Sequence, residues 1–350
     1  MHFQTLFPFY FSSSMFEDIF DCKYKFFKKY CQKLIPVNAK NPHLIAGGNI
    51  ATALERTRKA YYNNGLDADS AIEEGFTYLL TEAEDSKDDL KTTERVAFAF
   101  KRYFKSFPLE EELKPCELID GTHAVEYQFE LDLGIPHPDY PHRNLIFTGK
   151  LDFLGERKDA HNRLKRFVLD EKSTKNVKRK TGTKEVDFDR EKEEYLTRGQ
   201  FIGYHWAAHM LGVKTESTLI RRIPLTKEPE PPYELEVECS DFMIQCWEGS
   251  IYGEILELVE RYKAYKQYEH KENNDRRCFN PVYNMACDRF ASPCTYKVAC
   301  LIPEGDEVLA MTCKQLIAYP ENRIGQELTL SDYINQIERS LNEQHTTENS

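Results

Sequence analysis

Two acids and a lysine near the middle of the chain have types and spacing that can do chemistry. The segment Thr148-Gly149-Lys150-Leu151-Asp152 places an acid shortly after a glycine. Further on, Phe167-Val168-Leu169-Asp170-Glu171-Lys172-Ser173 ends an apolar run in an acid, with a lysine two residues later. Alternate residues of a strand share a face, so Asp170 and Lys172 are expected to point one way and Glu171 the other. Two carboxylates that meet can hold a hard cation such as Mg2+ or Mn2+, and an ammonium beside them can steer a water or a phosphate oxygen. Those are the parts needed to cut a phosphodiester bond. An Asp-x-Lys at a strand end also occurs as plain surface charge, so the surrounding elements decide between the two readings.

Apolar residues at helical spacing predict four helices ahead of the strands, over 15–33, 43–63, 68–84 and 87–106. In the first, Phe16, Ile19, Phe20, Tyr24, Phe27 and Tyr30 form the apolar stripe. Alternation then predicts strands over 123–133, 144–156 and 165–173, the last two carrying the acids. A helix over 192–212 follows, stopped at Gly212, then strands over 216–223 and 233–239 and a long helix over 241–269. A cysteine-bearing segment covers 278–300, a short helix follows Ser331, and 342–350 reads as a disordered tail. This order predicts an α/β fold with a mixed central sheet flanked by helices. The division it suggests is a helical N-terminal lobe over 1–120, a core over 121–275, a cysteine-rich segment over 276–340 packed on that core, and a tail over 341–350.

Composition narrows the class. The chain has 350 residues, 41% hydrophobic and 13% aromatic, enough to build a real core. No apolar run approaches the roughly 20 residues of a membrane-spanning helix. The aromatic-rich start has neither a basic opening nor a small-residue cleavage site, so no secretory signal is read and an intracellular, cytoplasmic setting is expected. Ten cysteines in such a chain argue for thiols or metal ligands over a disulfide framework. The net charge of −11 speaks mildly against a nucleic-acid binder, but Arg163 to Lys184 carry nine Lys/Arg and two acids. That local basic field could hold a phosphate backbone; the plainer reading is a solvated loop.

The helix after the acids contains Arg198-Gly199-Gln200-Phe201-Ile202-Gly203-Tyr204-His205-Trp206. Gln200 and Tyr204 are four residues apart and share a face, where an amide and a phenol can bond a nucleotide or brace the lysine. Phe201 and Trp206 read as core. His205 and His209 share a face as well, but no H-E-x-x-H accompanies them, and no phosphate-cradling loop or nucleophile elbow is present.

Together Gly149-x-x-Asp152, Asp170-x-Lys172 closing an apolar strand, and Gln200-x-x-x-Tyr204 on the next helix resemble the PD-(D/E)xK nuclease superfamily. The similarity is to its RecB-type and phage exonuclease branch, which includes the iron-sulfur exonucleases of CRISPR adaptation; it covers about 145–212. The resemblance implies a restriction-endonuclease-like core and a Mg2+- or Mn2+-dependent deoxyribonuclease, an exonuclease of recombination, repair or phage DNA processing. It assigns Asp152 and Asp170 to the metal and Lys172 to the attacking water. Gln200 and Tyr204 fall to the DNA or to bracing the site, and Lys175, Lys178, Arg179 and Lys180 to the DNA backbone. A recombinase, a helicase or a single-strand-binding protein would be its partner besides DNA.

The resemblance extends to the ends of the chain. Ser14-Met15-Phe16-Glu17-Asp18-Ile19-Phe20-Asp21-Cys22 is similar to the opening of that branch, with Lys23 where a proline is usual. Phe279-Asn280-Pro281 leading to Cys287, Cys294 and Cys300 is similar to its closing cysteine triplet. In iron-sulfur members one early and three late cysteines hold a [4Fe-4S] cluster; carried over, the ligands are Cys22, Cys287, Cys294 and Cys300. The gap between Cys287 and Cys294 is wider than in cluster-bearing members. Cys278 is an alternative ligand, making a local site for Zn2+, and free thiols are the third possibility.

One departure bears on catalysis. Many members carry a histidine ligand in an early helix, in a pattern like G-x-x-x-H-x-x-L-E. This chain reads Gly47-Gly48-Asn49-Ile50-Ala51-Thr52-Ala53-Leu54-Glu55, with Ala51 in the histidine's place. A methyl group cannot ligate a metal, so a third ligand must be water, a backbone carbonyl or an acid such as Glu126. The alternative reading is a non-catalytic DNA-binding or assembly protein with the nuclease-like fold.

Overall fold

The structure is a computed structural model that describes residues 5–36, 42–84, 92–111, 113–159, 161–174, 177–183, 185–196, 198–226, 230–268, 274–282, 287, 294–301, 309 and 313–315. Lys175, the helix expected after Ser331 and the expected tail lie outside them. In chain order the elements are β1 (Tyr10–Phe11), α1 (Ser13–Asp21), α2 (Lys23–Phe26), β2 (Leu34–Pro36), α3 (Pro42–Arg58), α4 (Ala68–Thr81) and α5 (Thr93–Ser106). There follow β3 (Lys114–Pro115), β4 (Val125–Pro136), β5 (Asn144–Lys158), β6 (Leu164–Thr174), α6 (Phe188–Glu193) and α7 (Gly199–Met210). The last are β7 (Ser217–Pro224), β8 (Tyr233–Glu238), α8 (Asp241–Gln267), α9 (Asn274–Phe279), α10 (Lys297–Leu301) and β9 (Cys313–Gln315). The protein is mixed α/β, with a seven-stranded mixed sheet flanked by helices. The sheet runs β1-β5-β6-β7-β8, and β3 and β4 also pair with β5.

The chain divides into two compact units, and the division does not follow the expected boundaries at 120 and 275. One unit comprises 40–129 and 149–249; the other comprises 1–39, 130–148 and 250–350. The boundaries fall inside β4 and β5, whose lengths exceed the alternating runs visible in sequence.

In the first unit, β5 and β6 pair antiparallel, β6 and β7 parallel, and β7 and β8 antiparallel. Every residue of β7 is buried because both of its faces are covered. Ile223 packs into the core of α3, α4 and α5, while Ile220 packs with Tyr195 and with Phe201 of α7. The helical lobe is built on Ala46, Ile50, Ala53 and Leu54 of α3, a stripe at helical spacing. Asp67 caps α4 by accepting the Ser70 N–H at 2.9 Å. Helices α3 and α4 meet closely at Gly75, where an added Cβ would stand 2.2 Å from Thr57 Oγ1 and 2.5 Å from the Ala53 carbonyl. Gly75→Ala is therefore expected to cost about 1–3 kcal/mol through overpacking, read by urea denaturation; an unchanged midpoint would show that the helices separate freely.

In the other unit, the expected helix over 15–33 is broken. It forms α1, an extended Cys22 (φ −168°), α2 and a π-helical turn over Phe27–Cys31. The cause is Asp18, which takes Lys25 at 2.5 Å, Lys29 at 2.8 Å and the Tyr30 hydroxyl at 2.7 Å. A straight helix carries Tyr30 some 18 Å along its axis from Asp18, so the chain folds back. Strand β1 pairs parallel with β5 at Ile146 and Phe147, and β2 pairs antiparallel with β9. Among the described residues, no helix is long and apolar enough to cross a membrane.

Candidate functional site

The cleft lies within the unit made of 40–129 and 149–249. Asp170 and Lys172 share a face of β6, and Lys172 Nζ donates to Asp170 Oδ1 at 2.9 Å. Glu171 turns to the opposite face, where Arg58 forks onto its carboxylate and the Tyr103 hydroxyl donates to Oε1 at 2.6 Å. Arg221 of β7 donates to the same tyrosine at 2.9 Å. Arg58 is fully buried, so the Glu171 face is a structural ion network.

The antiparallel register between β5 and β6 pairs Phe153 with Leu169. The recorded pairing ends there, and beyond it the two strands bring Asp152 and Asp170 into one cleft, with Lys150 and Lys172. Two carboxylates close enough to feel each other's charge repel, so the aspartate pair invites a cation. Asp170 is only 2% exposed, and its Oδ2 is buried with no hydrogen-bond partner. Burial, and then the neighbouring charge of Asp170, pushes the Asp152 carboxyl well above its usual range. Burial also raises Asp170, against the pull of Lys172. An orphaned oxygen of a buried carboxylate, facing a second carboxylate across the strands, suits a divalent metal ion.

Gly149 serves this register. An added Cβ there would lie 2.7 Å from the Phe129 ring, so the residue must be glycine for the ring to lie over β5. Gln200 and Tyr204 of α7 are brought to the same cleft, and Gln200 Nε2 donates to the Tyr204 hydroxyl at 2.9 Å. Burial, with Asp152 nearby, raises the Tyr204 phenol, so it stays protonated. The cleft of about 460 Å³ is completed by Gly47, Gly48, Ile50 and Ala51 of α3, by Glu126 and Lys150, and by Ser173. Ala51 is exposed on its wall.

Glu126 has a backbone φ of 52°, uncommon for a residue with a side chain, and is nearly buried. Its carboxylate accepts Lys150 Nζ at 2.9 Å and lies 3.8 Å from Arg58. Lys150 also reaches Glu55 at 2.7 Å, and Lys59 pairs with that same glutamate at 2.6 Å. From sequence Glu126 is a candidate third metal ligand; its carboxylate is instead paired with Lys150, which, like Glu55, the sequence did not single out. Both sit inside the motifs quoted above, Lys150 two residues before Asp152 and Glu55 four residues after Ala51.

The helix expected over 192–212 is two helices. Glu191 is buried, where it accepts the Lys178 N–H at 2.8 Å and pairs with Arg222 at 3.4 Å. Tyr195 packs under the same arginine, and the chain turns before α7 begins at Gly199. His205 is a satisfied core residue, bonded to Thr215 at 2.6 Å and Thr218 at 2.9 Å; burial pushes its pKa down to about 3.

The basic residues offered for DNA are tied to acids. Lys178 pairs with Glu194 at 2.9 Å, Arg179 with Glu230 at 2.7 Å and Lys180 with Glu185 at 3.2 Å. Their segment is a small hairpin, with Arg179 bridged to Val186 and a turn through Gly182, and its tip is exposed to solvent.

In the other unit, Cys22, Cys287, Cys294 and Cys300 line one cavity of about 20 Å³. The Cys294 N–H donates to the Cys287 carbonyl at 2.7 Å, which draws the late cysteines together. Burial, and then the other three cysteines, pushes the Cys300 thiol up to about 12. Cys278 is not among the lining residues; its thiol faces Asn274 Oδ1 at 3.6 Å. Among the described residues, no three His, Cys, Asp or Glu side chains converge on one point as placed. Cys31, Cys116, Cys239 and Cys313 are buried, and Cys246 is exposed.

What the fold and the cleft define is a mixed α/β protein with paired aspartates and a lysine on adjacent strands. No family model matches the chain, and no curated protein matches it. A solved structure described as "Crystal structure of SSO0001" aligns over 62% of this chain and 84% of that chain, with 12% identity and a TM-score of 0.25. A likeness at that TM-score carries no argument.

Proposed function

We propose that the chain is a metal-dependent deoxyribonuclease with a restriction-endonuclease-like core, acting as an exonuclease on DNA. The observation that supports it most is the cross-strand Asp152–Asp170 pair, with Asp170 Oδ2 unpartnered and Lys172 on Oδ1. Asp152 and Asp170 would hold Mg2+ or Mn2+, which when bound supplies Lewis acidity toward a phosphate oxygen and a more acidic water. Lys172 orients the water for attack and offsets the charge that builds on the phosphorus oxygens. Gln200 and the protonated Tyr204 present donors to the backbone or bases from the facing helix. Tracking of the DNA by Lys178, Arg179 and Lys180 requires them to leave their acidic partners. Recombination, repair or phage DNA processing, alongside a recombinase, helicase or single-strand-binding protein, is the setting in which such an activity serves.

A second reading is kept by one observation. Ala51 faces the cleft where a histidine ligand would stand, so the chain could bind DNA without cutting it. End-labelled single- and double-stranded DNA, incubated with the protein and Mg2+, Mn2+ or EDTA, separates the two. Metal-dependent loss of label supports the nuclease, and product lengths show whether cutting starts from ends. Binding without cleavage under either metal replaces it with the non-catalytic reading.

We further propose a metal at the four cysteines, since thiolates are ligands for zinc and iron-sulfur centres. The 20 Å³ cavity has room for one ion, whereas a [4Fe-4S] cube needs the thiols to move apart. Anaerobically purified protein is expected to carry about one Zn2+ equivalent, or iron with a brown colour, and either is expected to fall in Cys294→Ala. Absence of both metals would leave the cysteines as free thiols.

A further inference from the structure

The cleft has two halves with opposite charge balance. In one, Glu55 and Glu126 face Lys59, Lys150 and Arg58, so cations match or exceed carboxylates even with Arg58 shared with Glu171. In the other, Asp152 and Asp170 share the cleft with one bonded ammonium, that of Lys172, and the buried Oδ2 of Asp170 has no hydrogen-bond partner. A divalent ion fits the second half and is redundant in the first.

We propose that Lys150 is a resident cation of the site, its ammonium seated between Glu55 and Glu126 where a second metal ion would otherwise sit, so that the cleft binds a single divalent ion at Asp152 and Asp170. The inference rests on the nuclease reading for the ion at the aspartates and adds the role of the lysine. Its geometry is a bridge from β5 to two acids on two other elements: 2.7 Å to Glu55 of α3 and 2.9 Å to Glu126 of β4. A two-metal site needs carboxylates free to bind on both sides of the reacting phosphate. Here the acids on the far side from Asp170 are already neutralised by the protein. The left-handed backbone of Glu126 is the conformation that carries its carboxylate to this lysine. Lys150 also lines the cleft beside Asp152, so a bound phosphate meets its ammonium directly.

The test is the number of Mn2+ ions bound per chain, read by electron paramagnetic resonance of free Mn2+ during titration, with no DNA present. The wild type is expected to bind one equivalent, Lys150→Met two, and Lys150→Arg, which keeps the cation, one. Lys59→Met, which removes a charge from Glu55 but not the bridge, is expected to bind one. Two equivalents in the wild type, or one in both the wild type and Lys150→Met, would overturn the role of Lys150 while leaving the nuclease reading intact. No binding by the wild type would overturn the metal site itself and this inference with it. Where Lys150→Met is poorly folded, Lys150→Gln, also expected to bind two equivalents, makes the same distinction.

Discussion

Asp170→Asn is expected to abolish Mn2+ binding and to lower DNA cleavage by on the order of 10³-fold, the scale of losing a principal electrostatic group. The amide has nearly the shape of the carboxylate, so β6 keeps its packing and the circular dichroism spectrum stays that of the wild type. The size of the effect follows from the position. Asp170 is buried on the strand face that meets Asp152, and its Oδ2 has no other partner to lose. Lys172 loses the negative charge it is bonded to in the same step, so the water-orienting ammonium is held less firmly. Cleavage retained within a few-fold would mean that the reaction, if there is one, is not centred on this carboxylate.

The largest expected effect on stability comes from the other face of the same strand. Arg58→Met leaves Glu171 buried with the Tyr103 hydroxyl and the nearby charge of Arg221 but no bonded cation from Arg58, and is expected to cost about 3–5 kcal/mol in urea denaturation. Arg58 is wholly enclosed, lies 3.8 Å from Glu126 and shares Tyr103 with Arg221, so its loss disturbs several charged groups together. Adding Glu171→Gln to Arg58→Met is expected to recover part of the loss, because the uncompensated charge is then gone. A cost under about 1 kcal/mol, or no recovery in the double variant, would show that the network is solvated and not the buried pairing seen here.

These two effects separate because β6 is read by period two. That period was legible in the residues: Asp170 and Lys172 on one face, Glu171 on the other. The alternating and apolar runs likewise led to β4 through β8 within a few residues of their ends. What brings Asp152 and Asp170 into one cleft was not legible. It depends on the β5–β6 turn, where Asp159 accepts the N–H groups of His161 and Arg163 and sets the register. The conformation of Glu126 was hidden for another reason, since no local signal marks a glutamate for a left-handed backbone. Breaks at Cys22 and after Glu193 escaped periodicity because distant groups cause them, Asp18 reaching Tyr30 in one case and Arg222 drawing in Glu191 in the other. Strands as short as β1, β2 and β9 have too few residues to alternate. Pairing of Arg179 with Glu230 could not be foreseen either, with some fifty residues between them. The cysteines were legible as a group, and the structure separates Cys22 from Cys278 by which one lines the cavity.

The measurement that goes most directly to the central claim is the position of the bound ion. Crystals grown with Mn2+ and measured at its absorption edge are expected to show one anomalous peak between the carboxylates of Asp152 and Asp170, with Lys150 still bridging Glu55 and Glu126. A map with no peak at the aspartate pair, at Mn2+ concentrations that saturate other sites, would contradict the account and leave the cleft without its metal.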